Sequence, residues 1–234
     1  SGIGEQCAIS CSEMGANVIL IARNKELLNE VSDKLHGNNH AVFSFDLQEF
    51  NDYPNLVNDI VGKFGKIYGF IHSAGKEASI PINALRPKIF QDVFSLNTIS
   101  FFEMVRLISK NSNVESSASY IAISSVMGFL GQPGKLSYCS SKAALINGVK
   151  ALSLELAPKK IRVNCISPGI VETPMVKDLF EKISPENQIA IRKAHPLGFG
   201  QTIDVANACI FLLSNASKWI TGTNLVLDGG YSSQ

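Results

Sequence analysis

The feature that narrows the fold most is the alternation of strand-like and helix-like segments from one end of the chain to the other. Asn17 to Ala22 is a continuous apolar run, the pattern of a strand buried on both faces. A helix signal over Glu5–Met14 precedes it and stops at Gly15. Lys25–His36 then carries Leu27, Leu28, Val31 and Leu35 at helical spacing. Ala41–Phe45 reads as a strand, Tyr53–Phe64 as a helix, Gly69–His72 as a strand and Pro87–Lys110 as one long helix. Ser119–Ser124, Ser137–Ala157 and Arg162–Ile166 repeat the strand, helix, strand order. After Pro168-Gly169 the pattern loosens through two short helices, until a helix over Ile203–Leu213 and a last strand at Asn224–Leu227. Such alternation implies right-handed crossovers and a parallel sheet covered on both faces. The predicted class is α/β, a doubly wound, three-layer sheet of the Rossmann type, in one domain over residues 1–234. A (β/α)8 barrel needs eight such units, and there are too few.

Composition removes several function classes. With 45% apolar and 18% charged residues the chain is globular, not disordered. The 21 basic and 20 acidic residues nearly cancel, so no global field draws in nucleic acid. The apolar stretches are strand-length, far short of a membrane span. Five scattered cysteines without a CxxC pair argue against a disulfide framework and for a reducing, cytoplasmic setting. Cys7 and Cys11, four apart, read as small packing residues on one helix face, and no metal site is expected.

Ligands of doubly wound sheets bind beyond the carboxyl ends of the strands. Arg23, Asp46, Ala74-Gly75, Ser125 and Pro168-Gly169 all fall there. Ser1-Gly2-Ile3-Gly4 leads into a helix start, where backbone N–H groups can receive a pyrophosphate. By themselves these four residues fit an ordinary helix start equally well. Tyr138 and Lys142 stand four apart on a predicted helix, so both side chains share a face. An ammonium beside a phenol favours the phenolate, and the pairing predicts a lowered pKa and a proton donor and acceptor near neutral pH. Ser125 closes a buried strand where its hydroxyl can meet a substrate oxygen; its neighbour Ser124 is expected to make only local bonds. Asn97 lies in an apolar helix, either seeking a partner or facing solvent.

Taken together, these segments resemble the short-chain dehydrogenase/reductase family over the whole chain. Ser1-Gly2-Ile3-Gly4 is similar to the end of that family's TGxxxGIG motif, Asp46-Leu47 to its adenine contact, and His72-Ser73-Ala74-Gly75 to its NNAG. Asn97, Ser125, Tyr138 and Lys142 resemble its catalytic Asn and Ser-Tyr-Lys set. Ile161 to Gly169 resembles its IRVNxIxPG, Val171 to Thr173 its nicotinamide contacts, and Leu227-Asp228-Gly229-Gly230 its closing VDGG. The resemblance implies an oxidoreductase that moves a hydride between a nicotinamide cofactor and a carbonyl or secondary alcohol. Tyr138 would exchange the proton, Lys142 would lower its pKa and hold the ribose, Ser125 would orient the oxygen, and Asn97 would help hold a relay water. The cofactor contacts it implies are Ser1, Gly2, Ile3, Arg23, Asp46, Leu47, Ala74, Gly75, Tyr138, Lys142, Pro168, Gly169, Val171 and Thr173.

The end of the second family strand reads Ala22-Arg23-Asn24-Lys25, with two cations and no carboxylate. Arg23 can fork onto a 2′-phosphate, so NADP (NADPH) is expected over NAD. His72 and Ser73 depart from the family's Asn-Asn, and His72 is expected to be a partly buried strand residue with a backbone partner. Residues 174–200 are expected to form a substrate lid, with Met175, Val176, Leu179, Phe180, Ile183 and Ile191 as wall or packing residues. The preferred substrate is a 3-oxoacyl thioester, carried on acyl-carrier protein or CoA. The alternatives are a hydroxysteroid, sugar or small ketone, or a nucleotide-binding protein that acts without catalysis. Lys135, Lys177, Lys182, Arg192 and Lys193 are candidates for a basic docking patch. A homotetramer is implied through the two long helices and the last strand, with no nucleic-acid or membrane partner. Ser1 falls inside the resembled phosphate loop, so the family's first strand is absent and two sheet edges should lack a partner. The native chain is expected to be longer by about 10–20 residues.

Overall fold

The computed structural model describes residues 1–181 and 183–233, apart from the side chains of Met175, Asp178 and Leu179. Lys182 and the Met175 and Leu179 side chains, three of the expected lid and patch positions, therefore lie outside the described residues.

Nine α-helices and six strands are described. In chain order they are α1 (Gly2–Glu13), β1 (Ile19–Ala22), α2 (Lys25–Ser32), β2 (Ala41–Ser44), α3 (Tyr53–Phe64) and β3 (Ile67–His72). Next come α4 (Pro87–Phe94), α5 (Ser100–Ile108), β4 (Val114–Ile123), α6 (Leu136–Leu156) and β5 (Arg162–Pro168). The chain closes with α7 (Pro174–Phe180), α8 (Pro185–Lys193), α9 (Thr202–Leu213) and β6 (Asn224–Leu227).

Every strand pairing is parallel. The sheet comes in two parts, β1-β2 and β3-β4-β5-β6, so β1 and β3 each end a ladder. Two unpaired edges were the expectation from the sequence. The carboxyl ends of the larger part are aligned by register: His72 opposes Ala122, Ile123 opposes Ile166, and Pro168 opposes Leu227. Residues just past these ends, Ala74-Gly75, Ser125 and Gly169, therefore emerge along one edge.

Period-two alternation along β4 sorts the core into layers. Tyr120 and Ala122 point into a cluster with α3, α5 and α6, while Ile121 and Ile123 point into another with α1 and α9. The two clusters hold the central strands from both faces, at roughly 1.5–3 kcal/mol per fully buried aliphatic side chain. A third cluster packs Ala8 of α1 against Leu20, Leu28 and Val31.

The expected long helix over Pro87–Lys110 is interrupted. Ser95–Ile99 forms a π turn between α4 and α5, in which the Ser100 N–H reaches back to the Ser95 carbonyl. The aromatic residues on either side of this turn, Phe94, Phe101 and Phe102, are packing residues. Phe101 is in the core, Phe94 stacks on Phe90 with centroids 4.9 Å apart, and Phe102 lies where any side chain at Gly148 would sit. Cys7 is likewise a packing residue, its Sγ 3.7 Å from the Cys209 Sγ across the α1–α9 contact.

Candidate active site

The site is assembled from the ends of β3, β4 and β5 and the amino-terminal halves of α1 and α6. Gly75 is its centre. A Cβ there would stand 3.4 Å from both Asn97 Oδ1 and Lys142 Nζ, so both side chains reach this point of the backbone.

The π turn explains Asn97. One extra residue per turn rotates its side chain away from solvent, and Asn97 is fully buried. Its Oδ1 accepts from the Lys76 N–H at 2.8 Å, while its Nδ2 donates to the Lys76 carbonyl at 3.0 Å and to Ser141 Oγ at 3.0 Å. Thr98 Oγ1 adds a bond to the Ser141 carbonyl at 2.9 Å. Of the two environments left open by the sequence, the buried and partnered one is found.

Tyr138 and Lys142 share one face of α6, with Nζ 5.8 Å from the centre of the phenol ring. Lys142 is buried and donates to the Ile123 carbonyl at 2.7 Å. Desolvation pulls its ammonium down to about 8. The phenol does not follow the expected direction. Burial pushes Tyr138 up to about 12, and the Glu77 carboxylate acts the same way, against a smaller opposite pull from the Ser125 hydroxyl. Four-residue spacing puts the charge beside the ring, but desolvation of the phenol outweighs it.

Ser125 follows β4 at 9% exposure, and its Oγ accepts from the Met127 N–H at 3.2 Å. The turn that follows lies directly on α6: a Cβ at Gly128 would come within 3.0 Å of the Lys142 backbone. Ser124, expected to bond locally, instead donates from Oγ to the Lys142 carbonyl at 2.9 Å and braces α6.

The start of α1 meets the same region. A side chain at Gly4 would overlap Ser73 Oγ, and one at Gly2 would press on Thr173 Cγ2 at 3.3 Å. Ser1 makes no side-chain cap, so the first N–H groups of the helix stay available. Ile3 packs beneath, against the α1–α9 core. Pro168 and Val171 are buried, Val171 in the core and bridged to Gly200. Gly169 abuts Asp228.

The remaining expected contacts sit farther along the strand ends. Asp46 Oδ1 accepts from the Gln48 N–H at 3.0 Å, and the Leu47 carbonyl accepts from the Tyr53 hydroxyl at 2.8 Å. Arg23 is exposed just past β1, and its guanidinium makes no ion pair among the described residues.

His72 corrects another expectation. It is 3% exposed, and its partner is a side chain: Nε2 lies 2.7 Å from Ser100 Oγ. Burial, with Lys142 nearby, lowers it to about 3, so the imidazole is neutral.

Two participants, Ser141 and Glu77, were not singled out from the sequence, and a third, Lys135, takes a different role from the expected one. Ser141 holds Asn97, and its position between Tyr138 and Lys142 on the same helix face was the available signal. Glu77 and Lys135 form an ion pair of 2.9 Å that joins the loop after β3 to the start of α6. Their charges are far apart in sequence, and nothing local announces the pairing. Lys135 is thereby withdrawn from the expected basic patch, while Arg192 lies over the Phe199 ring at 4.8 Å. Among the described residues, no group of three His, Cys, Asp or Glu side chains could hold a metal, and no helix is long and apolar enough to cross a membrane.

Comparison with known proteins places this geometry. A family model described as enoyl-(acyl carrier protein) reductase matches residues 1–232. The 3-oxoacyl-[acyl-carrier-protein] reductase of Thermotoga maritima is 30% identical over 98% of this chain and 93% of its own length. The Bos taurus protein of the same name is 33% identical over the same shares. A 7α-hydroxysteroid dehydrogenase solved with NADH and 7-oxo glycochenodeoxycholic acid superposes with a TM-score of 0.91 at 29% identity, over 98% of this chain and 90% of that one. An NADPH-bound short-chain oxidoreductase of Pseudomonas aeruginosa shares the fold at a TM-score of 0.91 and 24% identity, over 100% and 94%. Sequence and fold agree: the chain belongs to the short-chain dehydrogenase/reductase family and is an oxidoreductase.

Proposed function

We propose that this oxidoreductase reduces the carbonyl of a 3-oxoacyl thioester with NADPH, Tyr138 being the proton donor. The observation that carries the reading is the approach of both Asn97 and Lys142 to Gly75, with Lys142 Nζ 5.8 Å from the centre of the Tyr138 ring. The residues present suit a nicotinamide dinucleotide. Gly2 and Gly4 bring the uncapped start of α1, with its free N–H groups, against Thr173 and Ser73 at the strand ends. Bound there, the cofactor would supply the hydride.

The protein's own residues would do the rest. Tyr138 would pass its phenolic proton to the carbonyl oxygen, which the Ser125 hydroxyl would orient. Burial alone makes the phenolate unfavourable, so the Lys142 charge and the Ser125 hydroxyl would have to supply what desolvation removes. Lys142 is held by the Ile123 carbonyl and would also hold the ribose hydroxyls. Asn97 Oδ1 keeps a second lone pair and would help hold a water on the proton path. Arg23, exposed and without an acidic partner, would meet the 2′-phosphate of NADPH.

The acyl-thioester preference draws on relatives with that printed activity and on an apolar hollow of about 520 Å3. Its walls include Ile80, Pro81, Ile82, Pro133, Leu136 and Cys139, the last two on either side of Tyr138 in sequence. An alkyl chain suits such walls better than a sugar. Docking of an acyl-carrier protein would fall to exposed Lys177, Arg192 and Lys193 around the lid. Self-association would cover Trp219 and Leu154, which are 96% and 78% exposed. The likeness to the hydroxysteroid dehydrogenase favours a second reading, a steroid ketone in the same hollow.

A carbonyl panel with NADPH, followed at 340 nm, separates these readings. Turnover of acetoacetyl thioesters without turnover of steroids or sugars is expected. Turnover of steroid ketones alone would replace the acyl reading with the second.

A further inference from the structure

His72 stands where the resembled family motif has an asparagine, and nothing in the mechanism above uses it. Its hydrogen bonds can be followed atom by atom. Ser100 Oγ lies 2.6 Å from the Leu96 carbonyl and 2.7 Å from His72 Nε2. A carbonyl only accepts, so the one hydroxyl proton of Ser100 goes to Leu96. Ser100 Oγ must then accept from His72, which puts the imidazole proton on Nε2 and leaves Nδ1 bare. Nδ1 is buried and has no partner among the described residues.

Ser100 sits at the exit of the π turn. Its N–H is drawn back to the Ser95 carbonyl, one residue farther than in an α-helix. The Leu96 carbonyl, the α-helical acceptor of that N–H, takes the Ser100 hydroxyl instead. The side chain thus supplies the bond that widening the turn removes. His72 fixes the direction of that hydroxyl, and its own ring is wedged edge-on against Phe70 at 6.1 Å and Phe101 at 5.8 Å. Four residues later in the same loop, Lys76 grips Asn97 in the middle of the turn. The loop over residues 72–76 is therefore stapled to the π turn twice, with Gly75 between the staples.

We propose that His72 is a positioning residue: through Ser100 it holds the π turn open and so keeps Asn97 in place beside Gly75 and Lys142. The proposal deepens the functional reading above and rests on it only for its kinetic arm. A π turn costs more than a regular helical turn and persists where something holds it. Here the holding group is an imidazole whose donor nitrogen has one possible acceptor.

The test uses the full chain carrying His72→Phe, which keeps a ring and removes the donor, and Ser100→Ala, which removes the link. Backbone amide exchange is read residue by residue. In each variant the Lys76 amide, bonded to Asn97, should exchange at least about tenfold faster, with Val163 in the central strand unchanged. His72→Gln, which keeps a donor, should restore part of the protection. With a reducible carbonyl substrate, both single variants should lower kcat by about tenfold and leave the KM for NADPH within about twofold. The double variant should be no worse than either single one. Wild-type exchange at Lys76 in both single variants would overturn the proposal, as would faster exchange spread evenly over the core. If no carbonyl is reduced by the wild type, the functional reading fails, and the exchange at Lys76 still decides the role of His72.

Discussion

Asn97 and Lys76 are joined by a reciprocal pair of hydrogen bonds, Oδ1 accepting from the Lys76 N–H at 2.8 Å and Nδ2 donating to the Lys76 carbonyl at 3.0 Å. The amide side chain thus satisfies a loop backbone that has no strand to pair with. Asn97→Ala would leave both backbone groups, and Ser141 Oγ, without these bonds. A loss of about 1–3 kcal/mol in stability is expected, read from urea unfolding. Turnover should fall by more than that loss explains. Asn97→Asp, which keeps the acceptor and loses the donor, should fall between wild type and Ala; an Asp variant as stable and active as wild type would contradict this assignment.

Two buried groups make stability depend on pH in opposite ranges. His72 has a folded pKa near 3 against an ordinary 6.5, so below pH 6.5 the unfolded chain binds the extra proton. Its contribution is complete above about pH 6.5 and is lost as pH falls towards 3. Lys142 is lowered to about 8 from 10.5, so the unfolded chain again binds more protons, now between pH 8 and 10.5. The cost of its buried charge is fully present below pH 8 and fades above it. Lys142→Met should therefore stabilise the protein by roughly 1–3 kcal/mol at pH 7, with the advantage shrinking towards pH 10. Thermal melts of the variant and wild type across that range check the sign.

Gly128 should tolerate no side chain. A Cβ would lie 2.6 Å from Ile146 Cδ1 and 3.0 Å from the Lys142 carbonyl carbon and oxygen, and the α6 backbone cannot yield as a side chain can. Gly128→Ala is expected to cost about 1–3 kcal/mol. It should also shift Ser125, three residues back, away from Tyr138. A crystal structure of the variant would show the displaced turn; an undisturbed turn with normal activity would contradict the packing argument.

Arg23→Asp replaces the exposed cation past β1 with a carboxylate that repels a 2′-phosphate and accepts from a ribose hydroxyl. The ratio of kcat/KM for NADPH to that for NADH should drop by at least about tenfold, equivalent to about 1.4 kcal/mol. An unchanged ratio would remove Arg23 from cofactor selection.

Much of this was legible in the sequence because the signals were long or chemically costly. Tyr53–Phe64 and Asn224–Leu227 are bounded as their periodicity predicts, and Tyr138 and Lys142 share a helix face as their spacing predicts. The π turn was invisible because it inserts one residue without disturbing the apolar pattern on either side. The early start of β4 was missed because Glu115 to Ser117 are polar and exposed, and Ser117 takes a left-handed φ of 61°. The partner of His72 and the upward push on Tyr138 depend on what surrounds a side chain in three dimensions. Residue type and spacing carry neither.

The central claim is that Tyr138 carries the proton, and initial-rate kinetics of Tyr138→Phe test it most directly. The substitution removes one oxygen and leaves the ring in its place beside Lys142. With NADPH and an acetoacetyl thioester, followed at 340 nm, turnover should fall by at least about a hundredfold, with melting temperature and NADPH binding close to wild type. A Tyr138→Phe protein that turns over at the wild-type rate would contradict the account.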